Sequence, residues 1–172
     1  ILDESMFKSK DKDDDSVSGS LTSDVKSKYA TKKLIKYIEQ EEGLLTHANN
    51  EGWGWFIGYG TAYNTFPEAF KNGKSEASTI TQKEAESYLI RYLNDCGDNL
   101  KRVTDSLGIR LSVNQFDALL DLSYIQGAYL YTSTGNGKAL IGALVGGYIS
   151  EQHFINVCSV EARAKADWKM FK

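Results

Sequence analysis

The chain has 172 residues, 41% of them hydrophobic, so it is long enough for one folded domain with a substantial core. With a formal net charge of -3 at pH 7, nothing in the sequence suggests the basic patch or stripe that is typical of nucleic-acid-binding proteins, and we expect no nucleic-acid partner. No apolar run reaches the length of a membrane helix, so we also expect no membrane span. The only histidines are His47 and His153, and there is no CxxC motif, so we predict no zinc site of the usual kind.

The N-terminal stretch is rich in Ser, Asp and Lys and includes the run KSKDKDDDSVSGS. Residues 1–20 contain six acidic residues against three lysines and therefore account for the whole net charge. This composition predicts a disordered acidic linker or arm over residues 1–28, followed by a folded domain over residues 29–172. Because the first residue is Ile1 rather than Met, we expect a processed product or a piece of a longer protein.

The first predicted element is a helix whose apolar residues recur three and four positions apart. Thr31 is a candidate for its N-cap, and Glu41 and Glu42 lie at its C-terminal end, where Gly43 favours a stop. A polar loop follows. In residues 52–61 glycines then alternate with aromatic residues, which is typical of short twisted strands joined by tight turns.

The rest of the chain is predicted to be mostly helical, after a loop over residues 63–78 that contains the only proline. Thr81 and Glu84 form a capping box before the apolar stripe of AESYLIRYL. Ser112 is the predicted cap of a central buried helix that ends at Gly127. Further helices are predicted over residues 98–107, 139–145 and 150–157 and in the final segment SVEARAKADWKMFK, with a loop over residues 128–138.

The two cysteines, Cys96 and Cys158, lie far apart in the sequence. Two buried free thiols are favoured over a disulfide, although the sequence leaves both open. No GxSxG elbow supports a serine hydrolase.

Several motifs occur in a characteristic order: Glu-Gly at a helix end, IGYG after a short loop, ITQKEAESYL, NQFDALLDLSYIQG and EARAKADWKMF. This series resembles the phage-type lysozymes, the muramidase family of bacteriophage endolysins, over residues 31–171. The resemblance implies an α+β, lysozyme-like fold. We therefore expect a small Gly-rich antiparallel sheet lobe and a larger helical lobe with a glycan cleft between them.

By the same resemblance, Glu42 takes the place of the catalytic acid that protonates the glycosidic oxygen, a task that requires partial burial. Glu41 is the neighbouring candidate, and a solvated helix-end carboxylate is the structural alternative. Glu51 stands nine residues beyond Glu42, where the family has an aspartate, and would activate water or stabilise the cationic transition state. The alternatives are that Glu51 is an exposed loop carboxylate, or that Asn50 takes this place in a shifted loop register.

The sequence departs from the family at a third position. The family commonly places a threonine two residues before the first glycine of the IGYG-like turn, where it helps to hold the attacking water. This chain has Phe56 there, in a loop that is one residue shorter. Because phenylalanine has no hydroxyl, the role is vacant or passes to another residue such as Thr61 or Thr46.

Substrate-binding residues are also implied, namely aromatic side chains that pack on sugar rings and polar ones that bond N-acetyl groups. For the aromatic residues the alternative is core packing, and Trp53 and Trp55 are as well suited to covering the small sheet as to touching sugar. The predicted substrate-binding set is Tyr59, Thr61, Tyr124, Gln126, Ser133 and Thr134.

The resemblance implies a peptidoglycan hydrolase, a muramidase that lyses bacterial cell walls by cleaving the β-1,4 bond between N-acetylmuramic acid and N-acetylglucosamine. Such chemistry needs no metal and no organic cofactor, so we expect neither. Its partners would be glycan strands and, through the N-terminal arm, a larger phage or secreted assembly. We expect it to act on the cell wall outside the cytoplasm, as a virion-associated, periplasmic or secreted protein. The alternatives are a catalytically weak or inactive lysozyme-fold module that binds cell walls, which Phe56 motivates, and a chitin-type glycosidase.

Overall fold

The computed structural model describes residues 25–172. Most of the predicted arm lies outside the described residues, so the arm and the start of the domain at residue 29 stay predictions. The described chain forms two compact units: a sheet unit, Lys32–Arg91, and a helical unit, Lys28–Thr31 with Tyr92–Lys172. Together they have the mixed α+β composition that the sequence predicts. No helix in residues 25–172 has the length and apolar character needed to cross a membrane.

The sheet unit begins with helix α1, which buries the three apolar residues of its stripe and thereby confirms the predicted spacing. The helix stops as expected, because Gly43 adopts a φ of 71°, a left-handed conformation that favours glycine. The elements of this unit are α1 (Lys32–Glu42), β1 (Leu45–Asn50), β2 (Trp55–Gly58), β3 (Thr61–Ala62), a 3-10 turn (Pro67–Ala69) and the first part of α2 (Gln82–Leu107).

The predicted small sheet is present as a three-stranded antiparallel sheet in the order β1-β2-β3. Its first strand, β1, corrects the sequence analysis, which predicted a polar loop in this stretch. The register of the sheet is irregular, because Leu45 pairs with Gly58 while Asn49 pairs with Phe56, so that β1 uses more residues than β2 over the same length. In the irregular stretch β1 bonds a second segment on its other edge, where the Ala48 amide donates to the Ser78 carbonyl at 2.9 Å. Irregularities of this kind bend a strand and redirect the side chains that follow it.

The long helix α2 corrects the sequence analysis, which predicted a separate helix over residues 98–107. The capping box of Thr81 and Glu84 is present, with both reciprocal hydrogen bonds at 3.0–3.1 Å. The helix then continues without a break through Gly97. A side chain at Gly97 would come within 2.1 Å of the Tyr29 ring, so this glycine serves close packing rather than helix termination.

The helical unit is built around α3, where Ser112 is the N-cap, as predicted, and Gly127 is the C-cap. Ser112 also forms a capping box with Gln115. The loop predicted over residues 128–138 is wrong in part, because it contains α4 and the start of α5. Thr134 makes this start possible, since its hydroxyl accepts a hydrogen bond from the Gly137 amide at 2.9 Å. The unit contains the second part of α2, α3 (Val113–Gln126), α4 (Leu130–Ser133), α5 (Gly135–Gly146), α6 (Glu151–Val157) and α7 (Glu161–Phe171).

The core of the helical unit contains both cysteines, which are buried and free, as the sequence analysis favoured. Burial raises the pKa of the Cys96 thiol to about 12. Helix α7 is anchored by Trp168 and Phe171, whose rings each lie 5.3 Å from the ring of Phe154. These aromatic contacts pack α7 against α6.

Candidate active site

The predicted catalytic acid, Glu42, lies at the last position of helix α1. Glu42 is the final residue of α1, and both it and Glu41 are exposed. This placement corrects the expectation of partial burial. The Glu42 carboxylate lies in the last helical turn. Apart from the chain neighbours of Gly43, no atom lies within 4 Å of the position that a Cβ on Gly43 would occupy.

Glu51 follows the end of β1 and opens the hairpin turn into β2. Its amide donates to the Gly54 carbonyl at 2.9 Å, and its carboxylate oxygen Oε1 accepts a hydrogen bond from Asn49 Nδ2 at 3.2 Å. Asn50, the alternative in a shifted register, uses its side-chain oxygen to accept from the Gly52 amide at 2.9 Å. Because Asn50 shapes the turn, Glu51 remains the carboxylate that the hairpin presents.

Asn49 is a residue that the sequence analysis missed. It pairs directly with Phe56 in the sheet, and it is two residues from Glu51. Asn49 lies in β1, a stretch that the sequence analysis assigned to a polar loop, so no predicted strand pattern pointed to it. The structure therefore places a polar amide opposite Phe56.

The two predicted substrate-binding residues of the sheet unit are both buried. Tyr59 is 4% exposed and Thr61 is 6% exposed. The Tyr59 hydroxyl donates to the Glu39 carboxylate and accepts from Gln82, and burial followed by the nearby Glu39 charge raises the pKa of Tyr59 to about 12. This environment favours the core alternative for Tyr59, while direct sugar contact stays a prediction.

Glu39 is a second carboxylate that the sequence analysis overlooked. It lies one helical turn before Glu42 and is half-buried, and this burial raises its pKa. Hydrogen bonds with Tyr59 and Glu86 and the charge of Lys36 oppose that increase without cancelling it. The spacing of three residues from Glu42 placed it on the same face of α1, and this was the available signal.

The remaining predicted site residues belong to the helical unit and already have local partners. Gln126 Oε1 accepts from both the amide and the hydroxyl of Ser159, at 2.9 and 2.8 Å. The Ser133 hydroxyl donates to a backbone carbonyl of the preceding turn at 2.7 Å, and Thr134 caps α5. The Tyr124 ring is partly exposed and lies 5.6 Å from the ring of Tyr92.

The chemistry available to the described site is that of carboxylates and amides. Within residues 25–172, no three His, Cys, Asp or Glu side chains are grouped so that they could hold a metal ion. The sheet unit contains both predicted catalytic residues, Glu42 and Glu51, and also Tyr59 and Thr61.

Residues 39–143, which include both predicted catalytic carboxylates and more than half of the chain, match the family model of the phage lysozymes. The chain belongs to the phage lysozyme family. A comparison with curated protein sequences gives no significant match.

Solved structures show that this phage lysozyme family member also has the lysozyme fold. The muramidase domain of SpmX from Asticaccaulis excentricus superposes with a TM-score of 0.59 at 20% identity, covering 82% of this chain and 95% of that one. A mutant of P22 lysozyme gives a TM-score of 0.57 at 19% identity, covering 83% of this chain and 97% of that one. An endolysin from Escherichia coli O157:H7 phage FAHEc1 gives 0.56 at 22% identity, covering 82% and 91%. At these identities the likeness concerns the fold alone.

Proposed function

We propose that this protein is a muramidase that hydrolyses the β-1,4 bond between N-acetylmuramic acid and N-acetylglucosamine in peptidoglycan. One observation carries the proposal: the stretch that matches the phage lysozyme family contains Glu42 at the end of α1 and Glu51 just beyond β1. Two carboxylates on neighbouring elements are the groups that glycoside hydrolysis requires.

In this mechanism Glu42 donates its proton to the glycosidic oxygen as the bond from that oxygen to the anomeric carbon breaks. Glu42 is exposed in the free protein, so a bound glycan strand would itself have to exclude water from the carboxyl group. Glu51 accepts the proton of the water that attacks the anomeric carbon, or stabilises the cationic transition state. The hydrogen bond from Asn49 fixes one of its oxygens and thereby the orientation of the carboxylate.

The substrate also defines where we propose that the protein acts. Peptidoglycan lies outside the cytoplasm, so a muramidase would work in a virion-associated, periplasmic or secreted setting. An acidic N-terminal arm would suit a tether to a larger phage or secreted assembly, since residues 1–20 carry the net negative charge of the chain.

The test is the release of reducing ends from purified peptidoglycan by the wild type, Glu42→Gln and Glu41→Gln. Glutamine keeps the shape of the side chain but cannot donate the proton, so Glu42→Gln should be at least about a hundredfold slower. Glu41 is exposed and adjacent, which makes Glu41→Gln the matched control, and it should retain activity. Equal activity in all three proteins would remove Glu42 from the mechanism.

A cell-wall-binding module without turnover is the second candidate, and Phe56 is the observation that favours it. The position that commonly holds a water-binding threonine in this family is here occupied by an aromatic ring. Such a module would sediment with purified cell walls and release no reducing ends. The same assay therefore separates the two candidates when it is combined with a sedimentation measurement.

A further inference from the structure

The hairpin turn beside Glu51 presents an unusual side chain to solvent. Trp53 is 81% exposed, the highest value among the exposed large hydrophobic residues of the described chain. A tryptophan left this far in water forgoes a large burial energy, and aromatic residues of this kind are concentrated at binding sites.

The turn is built so that this ring is supported from one side. The Phe56 ring lies 4.7 Å from the Trp53 ring, at an angle of 59°. Gly54 leaves room for the Phe56 ring, because a side chain at Gly54 would come within 3.2 Å of that ring. Gly52 has a φ of 88°, a conformation that L side chains rarely adopt, so both glycines that flank Trp53 serve the shape of the turn.

We infer that Trp53 and Phe56 form an aromatic platform that binds one sugar ring of a glycan strand beside Glu51. The identity of the glycan as peptidoglycan rests on the proposed function. The inference gives Phe56 a positive role: at the position where a threonine is common, its ring supports the exposed Trp53.

The neighbours of the platform favour a carbohydrate over other ligands. A sugar ring presents an apolar C–H face beside hydroxyl groups, and the platform presents an apolar ring beside the Glu51 carboxylate and the Asn49 amide. A lipid surface would meet that carboxylate among its headgroups, whereas membrane-binding surfaces are typically rich in Lys and Arg. The turn from Glu51 to Gly54 contains neither residue.

The experiment measures binding without turnover, in a Glu42→Gln background, using soluble uncrosslinked peptidoglycan strands. Trp53→Ala should weaken binding about tenfold in isothermal titration calorimetry, while Trp53→Tyr, which keeps an aromatic face, should stay within about threefold. Tyr148→Ala is the matched control, since Tyr148 is 64% exposed and belongs to the helical unit. Its affinity should equal that of the parent protein.

A second measurement does not require the alanine variant to fold. In the parent protein, tryptophan emission should shift to shorter wavelength when strands are added, and Trp53→Tyr should lose that shift. Unchanged affinity in Trp53→Ala, or a shift that persists in Trp53→Tyr, would overturn the platform. If Trp53→Ala lost affinity for anionic lipid vesicles while its glycan binding stayed intact, that result would overturn the platform as well.

The two proposals fail separately. If Trp53→Ala binds strands as tightly as its parent while Glu42→Gln abolishes hydrolysis, the platform is wrong and the muramidase stands. If the wild type hydrolyses nothing and Trp53→Ala loses strand binding, the platform stands and the protein is a binding module.

Discussion

Asn49 holds Glu51: its side-chain amide donates to the Oε1 atom of that carboxylate at 3.2 Å. Asn49 also lies directly opposite Phe56 in the pairing of β1 with β2. The amide is therefore a polar group that the sheet places across from Phe56. We expect it to act as a positioning residue for Glu51.

The first prediction concerns this contact. Asn49→Ala should lower kcat about tenfold and leave KM nearly unchanged, because a misplaced carboxylate slows the chemical step more than it weakens binding. Asn114→Ala, at an exposed position of α3, is the control for a loss of amide at the surface. Steady-state kinetics on soluble glycan strands give the result, and an unchanged kcat would refute the role of Asn49.

The second prediction separates Glu39 from the catalytic acid. Glu39→Gln should retain hydrolysis, because we assign the proton donation to Glu42 and Glu39 is held by Tyr59 and Glu86. It should also be more stable than the wild type at neutral pH. Since burial raises the pKa of Glu39 in the folded state, folding favours the protonated form, and this contribution is lost as pH rises through the folded pKa.

Melting temperatures of the wild type and Glu39→Gln, measured from acidic to neutral pH, give the effect on stability. The difference should vanish at acidic pH, where the carboxyl group is protonated in both the folded and the unfolded state. A loss of hydrolysis in Glu39→Gln that matched the loss in Glu42→Gln would instead place Glu39 in the proton transfer.

The third prediction concerns the buried ion pair of the helical unit. Arg163 donates to both carboxylate oxygens of Asp121, from Nε at 3.0 Å and from Nη2 at 2.6 Å. Asp121→Asn should cost about 3 kcal/mol in the free energy of unfolding, because it replaces the carboxylate that accepts both buried Arg163 hydrogen bonds by a neutral amide. Glu161→Gln breaks an exposed pair with Lys165 and should leave the free energy of unfolding nearly unchanged in the same urea titrations.

The fourth prediction concerns Asp167, which is fully buried beside that pair. Within residues 25–172 no group donates a hydrogen bond to either of its carboxyl oxygens, and its hydrogen-bond neighbour is the Asp121 carboxylate. Burial, with Asp121 adding to it, raises the pKa of Asp167 to about 11, so the folded protein holds this group protonated at neutral pH. Its contribution to stability is therefore complete below the unfolded pKa of 3.8 and declines as pH rises toward the folded value.

Asp167→Asn imitates the protonated acid and should remove this pH dependence. At about pH 9 the variant should exceed the wild type by about 1 kcal/mol or more in the free energy of unfolding, and near pH 4 the two should converge. Denaturant titrations at both pH values test the prediction. A wild type that gained stability relative to Asp167→Asn as pH rose would show that the carboxylate is charged and favourably paired.

Much of the fold follows from local signals in the sequence. Gly43 stops α1, Thr81 and Ser112 begin two helices, and Gly127 ends α3, because capping and left-handed conformations depend on a few adjacent residues. The continuity of α2 could not be predicted in this way. The close packing of Gly97 against Tyr29 joins residues that are distant in sequence, so no local pattern indicates it.

The candidate site was predictable only in part for the same reason. Glu42 and Glu51 follow from motifs and spacing, whereas the role of Asn49 depends on an irregular register that no local pattern encodes. The pKa of Glu39 likewise depends on contacts with Tyr59 and with Glu86 of α2, both distant in sequence. Strand register and helix contacts of this kind are set by tertiary packing.

The most direct test of the muramidase account is the chemistry of the new chain ends. Purified peptidoglycan would be digested by the wild type, reduced with borohydride and separated, and the reduced sugar at each new end identified. The account predicts reduced N-acetylmuramic acid at the new ends, and none of it above background in Glu42→Gln. Reduced N-acetylglucosamine at the new ends, or wild-type digests without new ends, would contradict it.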